Sequence, residues 1–352
     1  MIRVKRKADH IKYAALLGDG PVSSGFDDVN FMHNCLPNLN MQMLKLSTSI
    51  ASIKLDNPLL INAITGGSDK AADVNQMLAE VAAATGCAMA VGSQYGAVTR
   101  NEGIKSFEVV RKYNPKGVVF ANMGANAKVE DVERAVEMLK ADGLQIHLNV
   151  AQELIMPEGD KDFYGYLQNI ELICKKVQVP VIVKETGCGM MKHQVAQLLN
   201  CGVSVIDVGG VGGTNFIAIE ATRRQDNLYQ DLLGWGIPTA LSIIEARAVS
   251  DNSVGIIASG GIRSALDVAK ALALGANAVA MAGNILSKVM VDGIVATTQE
   301  ICEKLQLLRT IMLLTGCNSI SALRETPLLF SGELYQYINC RGYDLTRLSH
   351  KR

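Results

Sequence analysis

A (β/α)8 barrel is the fold class that this sequence of 352 residues predicts, and three observations predict it. Short apolar runs alternate with amphipathic stretches along most of the chain. There are eight such runs. Polar and glycine residues gather just after them, where parallel barrels place their chemistry. Strict strand–helix alternation requires parallel pairing, because a parallel neighbour is reached only through a crossover. An open doubly wound sheet shares that alternation, but eight units suit closure better.

The runs are PLLINAI (58–64), CAMAVGS (87–93), GVVFANM (117–123), GLQIHLN (143–149), VPVIVKE (179–185), VSVIDVG (203–209), VGIIASG (254–260) and NAVAMAG (277–283). Helical patterns lie at 70–85, 128–141, 191–200, 239–250 and 264–274. The barrel core therefore spans about 57–284, with an N-terminal segment 1–56 and a helical tail 285–352. No linker rich in Pro or Ser separates these parts, so 1–352 reads as one domain.

Lys+Arg and Asp+Glu are 34 each and aromatics are 5%. A balanced charge gives no field for nucleic acid or an anionic membrane, and few rings remain for stacking on bases. Eight cysteines without a C-x-x-C pair read as reduced, buried thiols in a cytoplasmic protein. The basic start MIRVKRKADH lacks the apolar core of a secretion signal.

The strand ends carry the chemistry. In GLQIHLN, Leu144, Ile146 and Leu148 share one face and Gln145, His147 and Asn149 the other. Outer barrel faces meet helices, so the polar set should face the lumen, with Gln152 and Glu153 close behind. Ala63, Ile64 and Thr65 end the first strand, and Ser93 and Gln94 the second. Asn122 ends the third and Lys184 the fifth, and Thr214 follows a glycine run after the sixth. In ASGGIRSALD, Gly260, Gly261 and Arg263 precede Ser264 and Asp267, spaced as a capping box that aims helix amides at the glycines. With Ala282 and Gly283 after the eighth strand, this suits a phosphate monoester. GDG and GGVGG do not make a dinucleotide fingerprint. Arg6, Lys7 and His10 form a second cationic cluster, and Arg100 follows the second strand.

RKADHI, NAITGGSD, VGSQ, FANMGAN, LQIHLNVAQE, VIVKETG, DVGGVGGTNF and ASGGIRSALDVAKALALGA, in this order, resemble the type 2 isopentenyl-diphosphate isomerases. These are FMN-dependent barrel enzymes that interconvert isopentenyl and dimethylallyl diphosphate in isoprenoid synthesis. The resemblance covers residues 6 to about 325. It implies that Ala63, Ile64, Thr65, Ser93, Asn122, Lys184 and Thr214 line the flavin. Gly260, Gly261, Arg263, Ala282 and Gly283 would hold its phosphate. Arg6, Lys7, His10 and Arg100 would grip the substrate diphosphate, with Ser93, Gln94, Asn149 and Gln152 nearby. His147 and Gln152 would be the catalytic pair and Glu153 the Mg2+ ligand. NADPH or NADH would reduce the flavin, and the chain would assemble as a tetramer or octamer. Ile64 stands where many members carry methionine, a change of little consequence in volume. The rival on the same barrel is an FMN-dependent oxidoreductase of a hydroxy acid or nucleotide precursor. It shares SGGIR and Lys184 but has less use for the cationic cluster or Glu153. A non-enzymatic flavin- or phosphate-sensing barrel would not need so polar a mouth.

Overall fold

The computed structural model describes residues 9–10, 13 and 16–349. Three short strands precede the barrel: β1 (Val29–Phe31), β2 (Thr48–Ile50) and β3 (Ile53–Leu55). Each of the eight apolar runs then contains a strand: β4 (Leu59–Ile61), β5 (Ala88–Ala90), β6 (Val119–Gly124), β7 (Gly143–Leu148), β8 (Val181–Glu185), β9 (Val205–Asp207), β10 (Gly255–Ser259) and β11 (Ala278–Met281). These eight pair in parallel with their chain neighbours. β11 closes on β4, Val279 opposite Leu59, so the sheet is a closed barrel and not an open one.

The period of two along each strand sorts its side chains. Val119, Ala121 and Met123 of β6, like Leu144 and Ile146 of β7, pack outward in the core shared with the helices. Leu60, Phe120, Ile182, Val205 and Ile257 pack together in a second, inner cluster. The hairpin β2–β3 adds Ile50, Ile53 and Leu55 to it. A Cβ on Gly255 would come 3.0 Å from the Ala51 nitrogen, and one on Gly143 3.1 Å from Ile53 Cδ1. Both glycines begin strands, so the hairpin plugs the N-terminal end. One step further along, the inner positions turn polar, with Asn62, Asn122, Gln145, Lys184, Asp207 and Ser259 all buried. The barrel is thus dry at its base and polar at its top.

The predicted helices are present at Asp69–Thr85, Val129–Leu139, Lys192–Asn200, Thr239–Arg247 and Ala265–Ala273. The first starts where the Ser68 side chain accepts from Ala71 N and stops at Gly86, at φ 67°. Five more, Tyr95–Arg100, Lys105–Tyr113, Val150–Ile155, Tyr166–Lys176 and Phe216–Arg224, occupy stretches where the sequence reading named none. The tail is helical as expected, starting with Gly283–Leu314, which bends at Gly293 (φ 80°, ψ −177°). It also supplies β12 (Leu328–Phe330), antiparallel to β1. The cysteines correct the sequence reading in part. All eight are free thiols, but only Cys87 and Cys317 are buried, while Cys35, Cys302 and Cys340 are exposed. An apolar stretch in sequence does not fix which face of a helix the thiol takes. No helix among the described residues is long and apolar enough to cross a membrane.

Candidate active site at the barrel mouth

A cavity of about 620 Å3 opens at the C-terminal ends of the strands. Its floor is the polar inner layer, whose members satisfy one another. Asn122 Nδ2 donates to Gln145 Oε1 (3.0 Å), and Gln145 Nε2 donates to Asn62 Oδ1 (3.0 Å). Asn62 Nδ2 donates to Asp207 Oδ2 (2.9 Å), and Ser259 Oγ donates to the other Asp207 oxygen. Buried polar groups that lack partners would each be costly, and here the partners come from five different strand ends.

His147 joins this network, its Nδ1 2.9 Å from Asn122 Oδ1, and lines the cavity. The chain then turns into the short helix Val150–Ile155, whose last carbonyls Lys161 Nζ collects (2.6–2.9 Å). That turn presents Asn149, Gln152 and Glu153 to the cavity. Asn149 Nδ2 donates to both Gln152 Oε1 (3.2 Å) and Glu153 Oε1 (2.9 Å), and Asp160 N donates to Glu153 Oε2 (2.9 Å).

Glu220, on helix Phe216–Arg224, is a residue the sequence reading missed. It is fully buried, accepts from His10 (2.6 Å) and Gln152 Nε2 (3.3 Å), and pairs with Arg223. Burial alone would raise its carboxyl, but His10 and Arg223 outweigh burial and hold it below the ordinary range. One carboxylate therefore ties the N-terminal segment to the Gln152 side chain. The detectable signal was its place beside Ile217 and Ala221 on the buried face of that helix.

Lys184 Nζ donates to its neighbour's carbonyl, Glu185 O (2.7 Å). The Glu185 carboxyl is pushed up to about 7 by burial, against the amides of Cys188, Gly187 and Gly189 and the charge of Lys184.

A glycine-rich wall completes the cavity. Gly260 and Gly261 hold φ 106° and 65°, and a Cβ on Gly260 would sit 2.0 Å from Gly210 O. The capping box forms as expected: Asp267 N donates to Ser264 Oγ (3.0 Å), and Ser264 N to Asp267 Oδ2 (2.9 Å). Arg263 is held by Asp19 and by the carbonyls of Gly261 (2.8 Å) and Gly212 (2.6 Å).

Ala63, Ile64, Thr65, Ser93, Asn122, Thr214, Ala282 and Gly283, all expected at the site, line this same cavity. Two expected substrate contacts do not. Gln94 points away, buried, accepting from Asn122 N (3.0 Å) and donating to Ala135 O (2.9 Å), so its amide is used up in joining the strand to a helix. Arg100 is exposed and paired with Glu102 (2.8 Å), outside the lining. Arg6 and Lys7 lie outside the described residues.

A model of the FMN-dependent dehydrogenase family matches residues 162–329. The chain is 48% identical to the isopentenyl-diphosphate delta-isomerase of Bacillus cereus strain B4264, with all of both chains covered. It is also 48% identical to that of Geobacillus sp. strain WCH70, covering 98% of each. Among solved structures, a Pediococcus acidilactici protein described as a lactate oxidase matches with a TM-score of 0.70 at 18% identity, covering 92% of this chain and 91% of that one. Mandelate oxidase with (S)-4-hydroxymandelic acid gives 0.66 at 15%, covering 92% and 95%. At such identities these two share the fold and nothing more is inferred from them.

Proposed function

The chain belongs to the isopentenyl-diphosphate delta-isomerases, and from that premise we propose that the barrel mouth moves the substrate's double bond by proton addition and removal, with reduced FMN and Mg2+ bound. The observation that carries this reading is the meeting of His147, Gln152 and Glu153 with a glycine-lined phosphate wall in one cavity.

The residues present fit FMN. Gly260 and Gly261 leave backbone at a surface where any Cβ would collide, and the capped helix Ala265–Ala273 begins beside them, a geometry that favours a phosphate. Ala63, Ile64 and Thr65 on one side, and Lys184 and Thr214 on another, give the cavity mixed polar and apolar walls for a ring system. When bound, reduced FMN supplies an electron-rich ring and an exchangeable ring proton. NADPH or NADH is the proposed reductant.

For Mg2+ the fit is of a specific kind. Among the described residues no group of three or more His, Cys, Asp or Glu side chains is placed to hold a metal. Glu153 faces the cavity with a carboxylate oriented by Asn149 and Asp160 N, whereas Asp19 and Glu158, which also line it, are paired with Arg263 and Arg223. A single carboxylate suits Mg2+ that takes its remaining ligands from substrate phosphates and water.

The chain's own residues then divide the work. His10, with Arg6 and Lys7, binds the diphosphate, and His147 contacts it from the floor. Gln152 cannot swing freely, because Asn149 holds its oxygen and Glu220 its nitrogen. It therefore orients the alkene or a water beside it. One proton is added at the terminal methylene and another leaves the carbon next to the oxygen-bearing one, so no net redox occurs. Lys184 places a cation beside the ring site and favours electron density there.

The test is anaerobic incubation with isopentenyl diphosphate, Mg2+ and FMN, with and without dithionite, followed by proton NMR. Dimethylallyl diphosphate formed only with reduced flavin, and without stoichiometric consumption of reductant, supports the reading. Tight flavin binding with no isomer formed, or turnover matched by oxygen or NAD(P)H consumption, sinks it.

A further inference from the structure

We infer that the buried chain Asp207–Asn62–Gln145–Asn122 is a directional relay that fixes the tautomer of His147, with its proton on Nδ1. The observation is the order of donors along the chain. Ala63 N donates to Asn62 Oδ1 (2.9 Å), and this link cannot be reversed, because a backbone amide has no flipped form. Asn62 must therefore turn its Nδ2 to Asp207 (2.9 Å), which accepts it. Its Oδ1 also receives Gln145 Nε2 (3.0 Å), which leaves Gln145 Oε1 toward Asn122. Asn122 answers with Nδ2 (3.0 Å), which leaves its Oδ1 toward His147 Nδ1 (2.9 Å). A carbonyl oxygen carries no proton, so the ring nitrogen supplies it.

In the neutral ring, Nε2 then holds the lone pair, and it is the nitrogen remote from the floor. It can accept a proton or a hydrogen bond and, once protonated, can donate to a phosphate oxygen. Gln145 is 0% exposed and Asn122 2%, so water does not compete for these links. Asp207 and Gln145 lie beneath the cavity lining, while Asn62 and Asn122 reach it. Asp207 and Gln145 are positioning residues that act through Asn122 on His147.

The inference rests on the isomerase reading only for its kinetic arm. The FMN-loaded protein is labelled with 15N-histidine. It has five histidines, and the His147 signals are those lost in His147→Asn. At a pH where the ring is neutral, wild type should show a protonated Nδ1 and an unprotonated Nε2. Gln145→Leu frees the Asn122 amide to flip, so the opposite tautomer should appear beside the first. The kcat on isopentenyl diphosphate should fall about tenfold, since partners one shell out commonly matter this much. Gln145→Met, closer in shape to glutamine, serves if the leucine variant fails to fold. A wild-type ring protonated mainly on Nε2 overturns the inference without any variant. So does a folded Gln145 variant whose tautomer is unchanged. The expected tautomers in a protein without isomerase turnover uphold the relay while removing the isomerase reading.

Discussion

Replacing Glu220 by Gln tests how the N-terminal segment and the cavity wall are joined. Glutamine keeps the volume but removes the charge, and its NH2 faces groups that are themselves donors. The wild-type carboxylate accepts from His10 and Gln152 and pairs with Arg223, all at a fully buried position. A hydrogen bond to a charged group contributes about 1.5–3 kcal/mol, and breaking a buried ion pair costs about 3–5 kcal/mol. Arg223 retains Glu158 at 2.9 Å, which favours the lower end. The expected loss is about 3 kcal/mol near neutral pH, read as a shift in the urea unfolding curve. The pH dependence has a definite sign. The Glu220 carboxyl is held below its ordinary 4.5 in the folded state. Its contribution is therefore present above that value and is lost as pH falls through the folded pKa. The gap between wild type and variant should close in acid. A gap under about 0.5 kcal/mol at neutral pH, the size of an ordinary surface change, would refute the reasoning. So would a gap as wide in acid as at neutral pH.

Gly260→Ala adds a Cβ 2.0 Å from Gly210 O at φ 106°, whereas Gly165→Ala, at φ 81° and away from the cavity, meets nothing within 4 Å. The first should cost about 3 kcal/mol or more and the second about 1 kcal/mol. Only Gly260→Ala should weaken FMN binding in a fluorescence titration, and equal effects of the two would contradict the account. Glu185, pushed up to about 7 by burial, holds its proton in the folded state where the unfolded chain has lost it. Stability should therefore fall as pH rises from 4.5 to about 7, by at most about 3 kcal/mol. Glu185→Gln should flatten that slope in pH-resolved urea melts.

The barrel was legible because eight short apolar runs alternate with amphipathic stretches, and each of those runs proved to contain a strand. The polar floor was half legible. Gln145 and His147 announce themselves by alternation, whereas Asn62, Asp207 and Ser259 look like ordinary strand ends until the closed barrel brings them together. Gln94 misled because a glutamine after a strand can turn either to the lumen or to the helix behind it, and the sequence does not say which. Glu220 was hidden for the opposite reason. A lone acid among FIAIEATRR passes for a solvated residue, and its place on one helix face with Ile217 and Ala221 is the only hint of burial. The short helix Val150–Ile155 was missed because six residues carry too little periodicity to read.

The pairing of β1 with β12 has a consequence for synthesis. Val29 lies opposite Phe330, so nearly the whole chain must be made before the partner of Val29 exists. At ribosomal speeds of about 5–20 residues per second, that wait is roughly 15–60 s. All eight barrel strands lie between the two and are translated first. During that interval the strand that pairs with Val29–Phe31 is absent, and the edge of β1 has nothing to pair with. The last clasp to close on a nascent chain is thus the one that joins its two ends, and a ribosome-stalled chain ending before Leu328 should leave the first strand open to protease.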